Sequence, residues 1–166
     1  LSLPGAFDVA VEVCSLSKMY AMAGWRAGFI AGNDDIVSHV KQYHYQMGSM
    51  ITSSIQDAGA AALESDQSCV RELAERYARR RDIVAGGLRG LGLDVFDSPG
   101  GIYAWVHAPE GLTGERFADL LLERAAVAAL PGTCFGHVGK DYVRFSLLKS
   151  EGLLREAVDR VGAVIA

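Results

Sequence analysis

Short β-branched runs interleaved with amphipathic helical stretches predict a mixed α/β (or α+β) fold for this chain. Three observations carry that expectation. Val9–Val13 is valine-rich and roughly alternating, the pattern of a half-buried strand. Between Gln67 and Leu88, the residues Val70, Leu73, Tyr77, Val84 and Leu88 recur at helical intervals, giving one apolar stripe along a long helix. Tyr142–Leu147 alternates strictly, with Val143, Phe145 and Leu147 to one side and Tyr142, Arg144 and Ser146 to the other, as a strand does.

The remaining elements follow in order. Val9–Val13 feeds directly into Cys14-Ser-Leu-Ser-Lys18, and Ala27–Ala31 is a second short apolar strand. Asn33 is the expected N-cap of the next helix, with Asp34 and Asp35 in its first turn, where carboxylates complement the helix dipole. Ile36, Val37, Val40 and Met47 are expected on its inner side. Ser53–Leu63 reads as an alanine-rich helix, and the long helix ends at Gly90 and Gly92, glycine being the favoured helix terminator. Leu93–Phe96 and Tyr103–Val106 are strands flanking the turn Ser98-Pro-Gly-Gly101. Phe117, Leu120 and Leu121 line a further helix, and Val127–Leu130 is another strand. Ser150 and Glu151 open a last helix that carries Leu154, Ala157, Val158, Val161 and Ile165 inward. A lobe boundary is expected in or just after the long helix, with residues before about 68 on one side and those after about 90 on the other.

Bulk composition excludes several classes of function. Of 166 residues, 50% are hydrophobic and 22% charged, and the net charge is −4. This is ordinary globular composition without the basic footprint of a nucleic-acid binder. No apolar run approaches the ~20 residues that cross a membrane, and no signal peptide is expected. Cys14, Cys69 and Cys134 are odd in number and far apart. They form neither a disulfide framework nor a metal site, which is consistent with a reducing, cytoplasmic setting. His39, His44, His107 and His137 lack metal-ligand spacing, with His39 and His44 expected on a helix surface. The basic triplet Arg79-Arg80-Arg81 reads as the solvated face of a helix, and the four methionines as packing. Gly136-His-Val-Gly-Lys140 fails as a P-loop, since an earlier glycine is missing and Asp141 stands where Ser or Thr is needed. No Gly-x-Ser-x-Gly elbow is present.

The informative segment is Ser15-Leu-Ser-Lys-Met-Tyr-Ala-Met-Ala-Gly-Trp-Arg-Ala-Gly28. A lysine after a strand, at the start of a small-residue loop, can be held partly buried, and burial favours its neutral, nucleophilic form. Such an amine forms a Schiff base with an aldehyde. The hydroxyls of Ser15 and Ser17 and the guanidinium of Arg26 suit a phosphate. Gly24 and Gly28 permit tight turns and close approach to a ligand. A surface lysine in a serine-rich turn fits the same physics. The full string, however, resembles the pyridoxal-phosphate attachment motif of class I/II aminotransferases of the aspartate aminotransferase superfamily, and every fixed position of that pattern is present. The resemblance implies that Lys18 is the catalytic lysine bound to the cofactor, that Ser15 and Arg26 bind its phosphate, and that Ser17 is an additional phosphate ligand.

The second half agrees. Pro131-Gly-Thr-Cys-Phe-Gly136, followed by a strand with Arg144 at its centre, is similar to the carboxyl end of the same family. There the arginine grips the substrate α-carboxylate through two parallel hydrogen bonds. Gly100-Gly-Ile-Tyr-Ala-Trp105 resembles the family's glycine–aromatic strand at the site entrance, although a core aromatic strand would read the same way.

The fold implied is PLP-transferase fold type I. Residues 1–68 would be the end of the large, PLP-binding domain, 69–90 a connecting helix, and 91–166 the C-terminal α+β small domain. The activity implied is transamination between an amino acid and a 2-oxo acid with pyridoxal 5′-phosphate, in a homodimer, with no metal. Within the family the chain looks most like the branch handling LL-diaminopimelate, aspartate or alanine. A PLP-dependent C–S lyase, racemase or decarboxylase of the same fold, or an aminotransferase-like ligand sensor in a transcription regulator, are the alternatives. The family's glycine-rich phosphate loop, ring-stacking aromatic, asparagine and ring-nitrogen aspartate have no counterpart here. The chain begins at Leu1 rather than Met, so the natural protein is expected to extend upstream and this chain alone to be inactive.

Overall fold

A computed structural model of the chain describes residues 1–48 and 50–165. By its backbone contacts the chain divides into two units, Leu1–Leu73 and Ala74–Ala166. Each has its own antiparallel sheet.

In the first unit, helix α1 (Ala6–Val9) precedes strand β1 (Val11–Ser15). The expected strand therefore starts two residues late. Gly5, at φ +76°, turns the chain into a single helical turn, and Ala10 donates its N–H to Ala6 rather than to a neighbouring strand. One-turn helix α2 (Leu16–Met19) follows, and strand β2 (Gly28–Gly32) returns against β1, pairing Val11 with Gly32 and Ser15 with Gly28. Helix α3 (Asp34–Gln46) is capped as expected, with the Asn33 side chain accepting the N–H of Ile36 at 3.0 Å. Helix α4 (Ser53–Glu64) follows, and helix α5 (Ser68–Gly90) begins within this unit. Near its start, the backbone N–H and then the hydroxyl of Ser68 hold the Asp66 carboxyl below its ordinary pKa.

The expected inner face of α3 does not materialise. Among the described residues of this unit only Leu16, Ala27 and Gly59 are buried. Ile36, Val40 and Met47 are exposed, as is Met50, while Val37 is half-buried. The amphipathic stripe is real, but no described segment covers it, and Met47 and Met50 lie mostly in solvent.

The second unit has the core. Strands β3 (Tyr103–His107), β4 (Leu130–Pro131) and β5 (Tyr142–Ser146) form one sheet in the order β3–β5–β4. Their alternation directs Ala104, Val106, Val143 and Phe145 into the interior, where Leu147 joins them. Val84 and Leu88 of α5, Phe117 and Leu121 of helix α6 (Gly114–Ala125), and Leu154 and Val161 of helix α7 (Glu151–Ile165) complete it. Thr113 caps α6 by accepting the N–H of Arg116, and Ser150 opens α7.

Two expected strands shrink because helix ends claim their donors. Gly92, at φ +84°, closes α5, and Leu93 donates its N–H back to Leu88, the six-to-one bond of a Schellman ending. The stretch 93–96 is thus left with a single bridge, Val95 to Val106. Likewise Ala126 turns left-handed at φ 51°, and Val127 donates to Leu121, so β4 starts only at Leu130. The arginine triplet is not simply solvated either. Arg79 faces Glu151, whereas Arg80 lies half-buried and donates to the carbonyls of Leu147 and Leu148. Those carbonyls follow the end of β5, and the helix carries the guanidinium within reach of them.

Phe117→Ala is expected to lower the stability of this unit by about 3–5 kcal/mol, the usual cost of truncating a fully buried phenylalanine. Leu122→Ala, on the exposed side of the same helix, should change it by less than about 0.5 kcal/mol. Urea midpoints of the two variants check this, and similar shifts would contradict the burial described. No helix among the described residues is long and apolar enough to cross a membrane.

Candidate active site

The lysine motif occupies one closed loop of the first unit. Ser15 and Gly28 pair at its neck, and Leu16 donates its N–H to the Ala27 carbonyl at 3.1 Å. The two ends of the motif are thereby brought together at the base of one turn. Gly28 is required by this pairing: a Cβ there would stand 2.6 Å from the Cys14 carbonyl oxygen. Its close approach is to β1, whereas a Cβ on Gly24 would meet nothing within 4 Å. Ala21 (φ 55°) and Arg26 (φ 53°) both adopt left-handed conformations. Each costs of order 1–3 kcal/mol in a non-glycine residue and marks a loop held by its surroundings.

Ser15 caps α2, its hydroxyl accepting the N–H of Ser17 at 3.2 Å. Arg26 donates to the Ala23 carbonyl at 3.0 Å. Lys18 is exposed rather than partly buried, and helical geometry explains why. Leu16 and Tyr20, four positions apart, share one side of the turn, and Lys18, two positions from each, projects to the other. Leu16 is buried and reaches α4, where a Cβ on Gly59 would meet it at 3.0 Å. Nothing described covers the lysine side.

Arg144 belongs to the second unit. It is central in β5, opposite Trp105 on β3 and Leu130 on β4. On this half-exposed face its guanidinium carbon lies 3.9 Å from the Tyr103 ring centroid and 4.2 Å from that of Phe135. Trp105 stacks on Tyr142 at 5.4 Å and meets Phe135 edge-on at 5.7 Å. The Phe135 loop is pinned by Gly132, where a Cβ would stand 2.1 Å from the Gly139 carbonyl oxygen. Stacking on rings fixes a guanidinium while leaving its in-plane N–H donors available, and no ion pair among the described residues involves Arg144. A guanidinium so placed has the donor geometry that a planar anion such as a carboxylate requires.

Sequence reading missed two supports. Phe135 was legible only as part of a motif, not as a stacking partner. The bond from Tyr20 to Gln67 had no signal, because Gln67 lies 47 positions away. Among the described residues no group of three or more His, Cys, Asp or Glu side chains could hold a metal, and Cys14, Cys69 and Cys134 are free thiols.

Comparison with known proteins shows the family. The family model for aminotransferase class I and II matches residues 5–161. The chain belongs to that family. Among curated relatives of the family, an L-glutamine–4-(methylsulfanyl)-2-oxobutanoate aminotransferase of Bacillus subtilis is 44% identical over 98% of this chain and 41% of its own length. An LL-diaminopimelate aminotransferase of Syntrophobacter fumaroxidans is 42% identical over 97% and 42% respectively. The solved aromatic aminotransferase of Pyrococcus horikoshii superposes with a TM-score of 0.90 at 35% identity, covering 98% of this chain and 44% of that one. The chain thus spans about two fifths of the length of the curated relatives it matches, with the PLP fold type I architecture of its structural neighbours. The family is PLP-dependent, and the residues here fit that group: one loop offers an amine at Lys18, hydroxyls at Ser15 and Ser17, and a guanidinium at Arg26.

Proposed function

We propose that this chain supplies the cofactor lysine and the carboxylate-binding arginine of an enzyme that transfers an amino group from an amino acid to a 2-oxo acid. The observation that carries the reading is the closed loop that holds Lys18 outward between two anchored neighbours, above a neck formed by the Ser15–Gly28 pair and the Leu16–Ala27 hydrogen bond. When bound, pyridoxal phosphate supplies an aldehyde and an electron sink for charge developing at the substrate Cα. Lys18 would hold that group through its amine, and the same amine would move the proton at the substrate Cα. Ser15 and Arg26 would hold the phosphate by donating hydrogen bonds, and Ser17 would add a third. Arg144 holds the α-carboxylate and so fixes the Cα–H bond in direction.

In this reading residues 1–68 are the end of the large domain, 69–90 the connecting helix and 91–166 the small domain. The working enzyme is a cytoplasmic homodimer using an amino acid of the diaminopimelate, aspartate or alanine kind. Roles for a glycine-rich phosphate loop, a ring-stacking aromatic and a ring-nitrogen aspartate fall outside this chain, so the chain alone is expected not to transaminate.

Incubation with pyridoxal phosphate, borohydride reduction and peptide mass spectrometry test the loop. Label should sit on Lys18 and be competed by free phosphate, while Lys41, Lys140 and Lys149 stay unlabelled. Label spread over all four, or absent from Lys18, would overturn the reading.

A further inference from the structure

We propose that Gln67 is a positioning residue for Lys18, acting through Tyr20 to hold the turn that carries the lysine. The proposal rests on the reading of Lys18 given above. Tyr20 lies two residues beyond Lys18 and ends α2, its N–H donating to the Leu16 carbonyl. Its hydroxyl lies 2.7 Å from the Gln67 Oε1, a part-buried bond across 47 positions of sequence. Leu16 anchors the same side of the turn on α4 at Gly59. The lysine is therefore flanked, at equal spacing, by one apolar and one polar anchor, both directed to the α4 side.

The direction of the polar bond is determined by its surroundings. The Gln67 amide nitrogen stands 3.1 Å from the Ala62 carbonyl oxygen and 3.0 Å from those of Leu63 and Ser65. Carbonyls only accept, so the NH2 group must face them and the amide oxygen must face Tyr20. Tyr20 is then the donor. Gln67 also adopts φ +62°, a left-handed conformation that is uncommon outside glycine and asparagine. The side chain thus joins three elements in one contact: the carbonyls at the end of α4, the strained junction before α5, and the lysine turn. A glutamine that only closed the end of a helix would need its nitrogen alone. Here the oxygen is used as well, and it is used on the loop of Lys18.

The test uses this chain with Tyr20→Phe, Gln67→Met and the double variant. Amide hydrogen exchange over residues 16–26 should quicken about 5-fold in Tyr20→Phe, the factor of one ordinary hydrogen bond. The double variant should match Gln67→Met rather than add to it, because both remove the same bond. Selectivity of pyridoxal phosphate for Lys18 over Lys41, Lys140 and Lys149 should fall by a similar factor in Tyr20→Phe. Unchanged exchange, additive effects, or quickened exchange with intact Lys18 selectivity would each overturn the proposal. If the unsubstituted chain takes no label at Lys18, the cofactor reading falls, while the exchange data still decide whether Gln67 holds the turn.

Discussion

Lys18→Ala is expected to eliminate pyridoxyl labelling of residues 15–28 and to lower transamination by the active enzyme by on the order of 10²–10⁴-fold, the usual worth of a positioned acid–base group. Two separate losses contribute. The alanine cannot hold the cofactor aldehyde, and no other described amine lies in the loop to move the Cα proton. The fold should not notice the change. Lys18 is exposed and projects away from the Leu16 and Tyr20 side of its turn, so the urea midpoint should stay within about 0.5 kcal/mol of the parent. Lys18→Arg keeps the charge, but a guanidinium stays protonated and is not a nucleophile at neutral pH, so this variant should fail equally. Retained transamination in either variant, with stability unchanged, would remove Lys18 from the chemistry.

Arg144→Lys is expected to lower kcat/KM for the amino acid about 30-fold, and Arg144→Gln about 10³-fold. These correspond to roughly 2 and 4 kcal/mol, within the range for truncating one partner of a desolvated charge pair. The lysine variant separates charge from geometry. It retains a cation but loses both the parallel N–H pair and the planar stacking on Tyr103 and Phe135, so lysine is not conservative at this position. Because Arg144 lies on β5 and not on the lysine loop, Lys18 labelling should be unaffected by either substitution. The loss should appear chiefly in KM if the carboxylate is held alike throughout the reaction. An unchanged KM for both variants would show that the carboxylate is gripped elsewhere.

Much of the molecule was legible from residues alone because its signals are local. The Ser15–Gly28 string names a lysine, two hydroxyls and a guanidinium without reference to anything distant. The Asn33 cap depends on a side chain three residues from its donor, and the alternation of Tyr142–Leu147 sorts Arg144 and Phe145 to opposite faces through strand geometry alone.

What only the tertiary structure decided is whatever depends on a partner far along the chain. Backbone N–H groups each make one principal bond, so Leu93 and Val127, having closed the helices before them, could not extend the strands that their composition favours. The apolar stripe of α3 predicts an inner face, but burial needs a covering element and none is described. Arg80 turns inward because β5 ends beside it, and Gly28 is a glycine because the Cys14 carbonyl lies where a Cβ would be. Lys18 itself is the clearest case. Its identity and chemistry were local, whereas its outward direction follows from Leu16 meeting α4 and Tyr20 meeting Gln67, contacts that exist only once the chain has folded.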